Sequence, residues 1–357
     1  WTVRRAWPAD DRIDLELAGP GGRLLAAVAS GGRLDPVGLD DRRLPALSGW
    51  AAVPGARLVV HRPRRRAVVE VPRGAGPVAG VAASSTAGRP SYVKVARPPS
   101  AERALRAHRT LASLLADAPG APALPQVDAA DPAAGWVRTA SLPGRSLLDV
   151  LADPRSDAAA LDVAGTAAGN ALGVLARTTP AGLPEHASPD EAAVLSTWVD
   201  RLARYAPLGG DVVARVRDLA HHALAELTAL PTAPAVTAHR DLHDQQVLVH
   251  RGRAALLDLD TAAAADPGLD EGNLLAHLDL RVWQGLATAA RARRLARAVV
   301  AARSAVAPVD AARVAAHHRA TRARLAALYA FRPGARTVVP RLLDSPSVVL
   351  PDVPAPV

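Results

Sequence analysis

Apolar residues recur at two spacings along the chain, and the change from one to the other divides it. Near the start the spacing is two: residues 12–18 (RIDLELA) and 23–29 (RLLAAVA) flank GPGG, which predicts a β-hairpin. A second hairpin is predicted from 56–60 (ARLVV) and 66–71 (RAVVEV), joined by HRPRR. A stretch rich in Gly, Pro and Ser, 72–90, then leads to SYVKVAR, where Tyr92, Lys94 and Ala96 alternate with Val93 and Val95 as in a strand. From there the spacing becomes helical. Ser100 is placed to cap a helix over 100–116, with Leu105, Leu111, Leu114 and Leu115 on one side. A strand, a Pro-Gly turn and a short helix are read in 135–151, and helices are expected over 158–178, 189–206, 211–229, 269–283, 287–305 and 309–330. One interruption stands out: 247–249 (VLV) and 254–259 (AALLDL), separated by HRGR, form a predicted hairpin inside the helical region. The Pro-rich 332–357 reads as an extended or mobile tail.

Length and composition narrow the picture. At 357 residues the chain can bury a large core in two or three units. With no Cys there is no disulfide framework and no thiolate metal site or nucleophile. No window reaches the roughly 18 apolar residues of a membrane span, and the first residues lack the apolar core of a signal peptide, so a soluble cytoplasmic protein with no membrane partner is expected. The net charge is +9, but the arginines are scattered through Ala-rich stretches such as 287–306, with few aromatic residues beside them. They read as solvated helix faces, and no nucleic-acid partner is expected. Of 43 Lys plus Arg, one is Lys: Lys94. Arginine replaces lysine freely on a surface, less easily where a compact point charge must fit a confined pocket. Lys94 is therefore a candidate functional residue.

The polar motif AHRDLHDQQVLVHRGRAALLDLD (238–260) coincides with the predicted hairpin of the helical region. Together with YVKV, AERALRAH and TASLPGRSL upstream in the same order, HRDLHDQQVLV and LLDLD resemble the aminoglycoside phosphotransferase family of small-molecule kinases. The resemblance extends over about 55–330 and takes in ADPGLDEGNLLAHL (265–278). It implies an α+β, bilobal protein-kinase-like fold with a small β-rich N-lobe (51–140) and a larger helical C-lobe (141–331) holding the catalytic loop. Residues 1–50 are then an additional β-rich N-terminal extension, and 332–357 the tail.

The same resemblance assigns roles. ATP and Mg²⁺ are the implied cofactors, and a hydroxyl of a small molecule is the implied acceptor. Phosphoryl transfer asks a protein to position the acceptor and to neutralise charge on the phosphates. Asp241 would orient the hydroxyl and accept its proton. Asp258 would ligate Mg²⁺, with Asp260 a second carboxylate near it. Gln246 stands where the family carries Asn, and offers the same amide oxygen one methylene further out. Lys94 would contact the α- and β-phosphates, braced by Glu102. The backbone at Ala140 and Leu142 matches the adenine-binding hinge. For the loop over the phosphates, the turn HRPRRR (61–66) has no Gly, so Arg64 or Arg65 would substitute guanidinium contacts for backbone amides; the Gly-rich 74–80 is the alternative.

Other polar groups have blander readings. His239 and His243 have zinc-pair spacing but lie beside a β-type run, so His239 is read as bracing the loop and His243 as lining the acceptor site. His221, His222, His317 and His318 are expected at helix surfaces or grooves, and Asp266 and Asp270 as anchors of the helix near 269. No G-x-S-x-G elbow is present. The leading expectation is an ATP- and Mg²⁺-dependent kinase acting on a sugar, an aminoglycoside-like antibiotic, a nucleoside or another natural product. The alternative is an inactive nucleotide-binding pseudokinase or regulatory module in which Gln246 marks lost metal binding.

Overall fold

In the computed structural model, which describes residues 1–77 and 88–350, the chain divides into two compact units. The first comprises residues 1–106, 125–142 and 331–333, and the second residues 107–124, 143–330 and 334–357.

Two antiparallel sheets make the first unit. One is a four-stranded meander of β1 (Thr2–Pro8), β2 (Ile13–Ala18), β3 (Leu24–Ser30) and β4 (Arg33–Val37). A short helix α1 (Leu47–Ala51) follows, then β5 (Arg57–Arg62), β6 (Arg66–Val71) and β7 (Ser91–Ala96). Helix α2 (Pro98–Leu115) runs from this unit into the other. It starts at Pro98 rather than after Ser100, as suits a residue whose fixed φ and missing N–H fit the first helical turn. Strands β8 (Val127–Asp131) and β9 (Trp136–Ala140) complete a five-stranded sheet in the order β5-β6-β7-β9-β8. Val69, Val71, Val93 and Val95 point from it into a core closed by Leu44, Leu47 and Trp50, whose ring meets Trp136 edge-on at 4.9 Å.

Contacts within this unit also fix the turn between β5 and β6. Buried Glu16 of β2 accepts the His61 N–H at 2.7 Å, and Asp41 accepts the N–H of Arg64 at 2.6 Å and of Arg43 at 3.0 Å. Arg64 sits at φ +60°, a left-handed conformation that non-Gly residues adopt at a cost. Arg62 lies over the ring of Trp7, 5.2 Å from its centroid. Of the Gly-rich alternative, residues 78–80 lie outside the described residues.

The second unit is mostly helical: α3 (Leu147–Ala152), α4 (Ala158–Arg177), α5 (Ser188–Tyr205), α6 (Gly210–Ala229), α7 (Leu269–Trp283), α8 (Ala289–Val306), α9 (Ala311–Tyr329) and α10 (Ala335–Asp344). Small strands pin its loops: β10 (Arg145–Ser146), β13 (Val247–His250) and β14 (Arg253–Leu256) form one sheet, and β11 (Glu185–His186), β15 (Ala263–Ala265) and β12 (Val236–Ala238) another. Helix α4 is long and apolar enough to cross a membrane, yet it is the central core helix. Gly165, Gly169 and Gly173 make one stripe along it, against α8. A Cβ at Gly169 would stand 2.2 Å from the Val299 carbonyl oxygen, so the two backbones touch where only hydrogen fits.

Two expectations change here. The tail was expected to be extended or mobile, but α10 forms within it, burying Val338, Val339, Leu342 and Leu343 despite an internal Pro340. The 287–306 arginines were expected to be a solvated face. Arg293 and Arg297 are exposed as expected, but Arg303 is 2% exposed, and Arg291 donates to the carbonyls of Val150, Leu151, Asp153 and Ser156, closing the end of α3. Arginine here is an internal cap, a task its fork of five donors performs and lysine's point charge does not.

Candidate active site

Residues 239–246 form a loop held against the end of β14. His239 Nε2 bonds the Leu257 carbonyl at 2.7 Å, and the Leu257 N–H donates to the Gln246 carbonyl at 2.9 Å. The direction of the first bond places the ring proton on Nε2, since the carbonyl can only accept. Underneath, Asp270 of α7 accepts the N–H groups of His239 and Arg240, both at 2.7 Å, with Arg240 at φ +71°. Burial pushes the Asp270 carboxyl upward, opposed by His239 and by the two N–H bonds. Asn273 of the same helix donates to the Leu242 carbonyl at 2.9 Å, and Asp244 accepts two bonds from Arg281, at 2.6 and 2.8 Å. That guanidinium holds the Asp244 carboxyl far below the ordinary range against the cost of its burial. The loop is thus fastened at several backbone groups, the His239 ring and one carboxylate.

What this frame presents is the predicted motif. The Asp241 side chain is 47% exposed, with Arg324 of α9 at 3.6 Å. Val247 opens the ladder of β13 with β14 opposite Leu256, so Gln246 and Asp258 flank the open end of one hairpin. Gln246 is half-buried while Gln245 is exposed, and Asp258 turns the chain at φ +57°. An amide oxygen and a carboxylate are hard donors, the chemistry that Mg²⁺ selects. Asp260 is exposed.

The residues expected around the nucleotide lie in the first unit. Lys94 is half-buried on β7, paired in the ladder with Val68 and Val137. Glu102 is a correction: its carboxylate is 61% exposed and accepts from Arg106 at 2.8 Å, one turn along α2, rather than bracing Lys94. Arg65 is exposed at the β5–β6 turn. Ala140 is buried at the end of β9 with its N–H donated to the Gln126 carbonyl at 2.8 Å, and Leu142 follows two residues on.

Several polar residues do other work than expected. His317 and His318 are 4% and 0% exposed, not surface groups, and His318 bonds Asp279 at 2.9 Å. Asp266 does anchor the start of α7, through the Gly268 N–H at 2.8 Å, whereas Asp270 serves the loop. The zinc-spaced pair His239 and His243 is not on a helix, and His239 Nε2 is on the Leu257 carbonyl. Ligand atoms of His243, Asp244 and His277 do come within 4.8 Å of one another, but the cation that Asp244 requires is already supplied by Arg281. Arg324 and Asn273 escaped the sequence reading: Arg324 belongs to no local motif, and Asn273 had no role assigned within the 265–278 stretch.

Known proteins identify the family. The model of the phosphotransferase enzyme family matches residues 80–328, so the chain belongs to that family and is a small-molecule phosphotransferase. No curated protein sequence matches it. Among solved structures, the macrolide 2'-phosphotransferase MphH from Brachybacterium faecium is 21% identical, with a TM-score of 0.50 over 82% of this chain and 92% of that one. Amicoumacin kinase hAmiN, in complex with AMP-PNP, Ca2+ and Ami, is 14% identical, with a TM-score of 0.56 over 83% and 90%. A thermostable mutant of aminoglycoside phosphotransferase APH(4)-Ia, in a ternary complex with AMP-PNP and hygromycin B, is 13% identical, with a TM-score of 0.54 over 82% and 91%. At such identities the likeness concerns the fold, which is protein-kinase-like.

Proposed function

We propose that the protein transfers the γ-phosphoryl group of ATP, with Mg²⁺, to a hydroxyl of a small molecule such as a sugar, nucleoside or other natural product. The observation that carries this reading is the loop frame itself. His239, Asp270 and the Leu257–Gln246 bond hold Asp241, Gln246 and Asp258 on one scaffold, as positioning catalysis requires. Asp241 orients the acceptor hydroxyl and takes its proton as the new P–O bond forms and the bond to ADP breaks. Gln246 and Asp258 hold the metal, which when bound neutralises charge on the phosphates. Lys94 contacts the α- and β-phosphates. With Glu102 on Arg106, the bracing of Lys94 does not rest on Glu102. Arg65 covers the phosphates, and with the Ala140 N–H on Gln126, Leu142 is the hinge position left to donate an N–H to adenine.

Melting temperatures with ATP, with and without Mg²⁺, and ATP turnover against a hydroxyl-compound panel test this. Asp241→Asn is expected to abolish turnover while keeping nucleotide binding. Gln246→Asn is expected to retain Mg²⁺-ATP use and Gln246→Ala to impair it. Nucleotide binding without metal dependence and without turnover would instead support the regulatory-module reading.

A further inference from the structure

The general base has a cation for a neighbour. Arg324 Nη1 lies 3.6 Å from Asp241 Oδ1, and Nη2 donates to Asn273 Oδ1 at 2.7 Å. Asn273, fully buried, in turn donates to the carbonyl of Leu242, the residue after Asp241. The guanidinium is therefore aimed from a closed ring: Asp241 and Leu242 of the loop, Asn273 of α7, Arg324 of α9. At 3.6 Å the contact with Asp241 is an ion pair too long for a hydrogen bond, so of the five donors only one is in a described hydrogen bond. The side chain is 19% exposed and Nε is buried without a partner, so the free donors that reach outward are those beside Asp241.

In a loose phosphoryl-transfer transition state the positioning of the acceptor dominates. The guanidinium thus has room for a second task. Acids on neighbouring elements are engaged. Burial works to raise the pKa of Glu191, yet the His186 bond at 2.8 Å holds it down to about 2, with Arg324 and His317 acting in the same direction. Asp244 carries Arg281, and Asp279 carries His318 and Ser347. A polyamine arriving beside Arg324 finds Asp241 already facing a cation. Acidic pockets attract polycations; this one offers a planar set of oxygen-seeking donors.

We propose that Arg324 binds an oxygen of the acceptor next to the hydroxyl that Asp241 orients, so that the substrate is a neutral or anionic polyhydroxyl compound rather than a polycation. The inference rests on the phosphotransfer reading. It is tested with D-glucose, D-gluconate and hygromycin B on the full chain, by turnover with Mg²⁺-ATP and by melting-temperature shift in the presence of ADP. Glucose or gluconate is expected to be turned over, and to stabilise the protein more than hygromycin B does. Arg324→Gln is expected to raise the acceptor KM about tenfold or more while the ATP-induced shift stays unchanged, with partial recovery in Arg324→Lys. Stronger stabilisation or higher kcat/KM with hygromycin B overturns the inference, as does an Arg324→Gln variant with unaltered acceptor affinity. If neither variant folds, the ranking of the three compounds on the unaltered protein decides. Turnover of none of the three counts against the phosphotransfer reading alone, because the binding comparison reads the charge preference of the pocket separately.

Discussion

The turn between β5 and β6 and the loop after β12 are held by the same device. In each, an arginine takes a left-handed conformation, Arg64 at φ +60° and Arg240 at +71°, and a carboxylate from elsewhere grips its N–H. The strengths differ. Asp270, 6% exposed, takes two N–H groups of consecutive residues, whereas Asp41, 9% exposed, divides its oxygens between Arg64 and Arg43, with fully buried Glu16 taking His61. The loop is thus held by one carboxylate spanning two adjacent residues, and the turn by two carboxylates that each take a separate residue.

The largest effect expected is from Asp270→Ala. It strands two buried N–H groups and should cost about 3–5 kcal/mol by denaturant unfolding, together with all turnover. A cost under about 1 kcal/mol would erase the distinction between the clamps. Next comes the neighbouring Glu271. Burial raises its carboxyl to about 7, Arg303 opposing, and its Oε2 has no partner. Because this folded pKa lies above the ordinary 4.5, the stabilising share of Glu271 is full below pH 4.5 and is lost as pH rises to 7. Glu271→Gln should therefore remove a fall of about 3 kcal/mol across that window, read from unfolding curves at pH 4.5 and 8. Asp41→Ala, at the divided clamp, leaves Glu16 holding the turn and should cost only about 1–2 kcal/mol. If Asp41→Ala proves as costly as Asp270→Ala, the two clamps are equivalent. Smallest are Arg64→Gly and Arg240→Gly, each expected to gain up to about 1 kcal/mol by relieving the left-handed backbone, and equally, since the strain is local at both sites.

The two clamps also show which features a sequence makes legible. Asp241, Gln246 and Asp258 lie in one run of residues, so their placement on one loop and hairpin follows from local order, and α4 to α9 follow from apolar periodicity within a few residues at each end. Glu16 and Asp41 left no trace because their partners are backbone N–H groups in another part of the chain, and a backbone donor has no residue type to read. Arg324 and Asn273 were silent for a similar reason: each gains meaning only when α7 and α9 bring it to the loop. Glu102 was misread because a carboxylate at that place in α2 has a nearer cation, Arg106, one turn away. Helix α10 was hidden by its prolines, although Val338, Val339, Leu342 and Leu343 carry the spacing of a buried face.

The lone lysine on β7 has a practical consequence. Reagents that acylate amines strike many positions on an ordinary protein. Here they find one side chain, Lys94, and the α-amino group. A mass spectrum then shows directly whether a bound nucleotide shields that side chain, with no background of surface adducts to subtract.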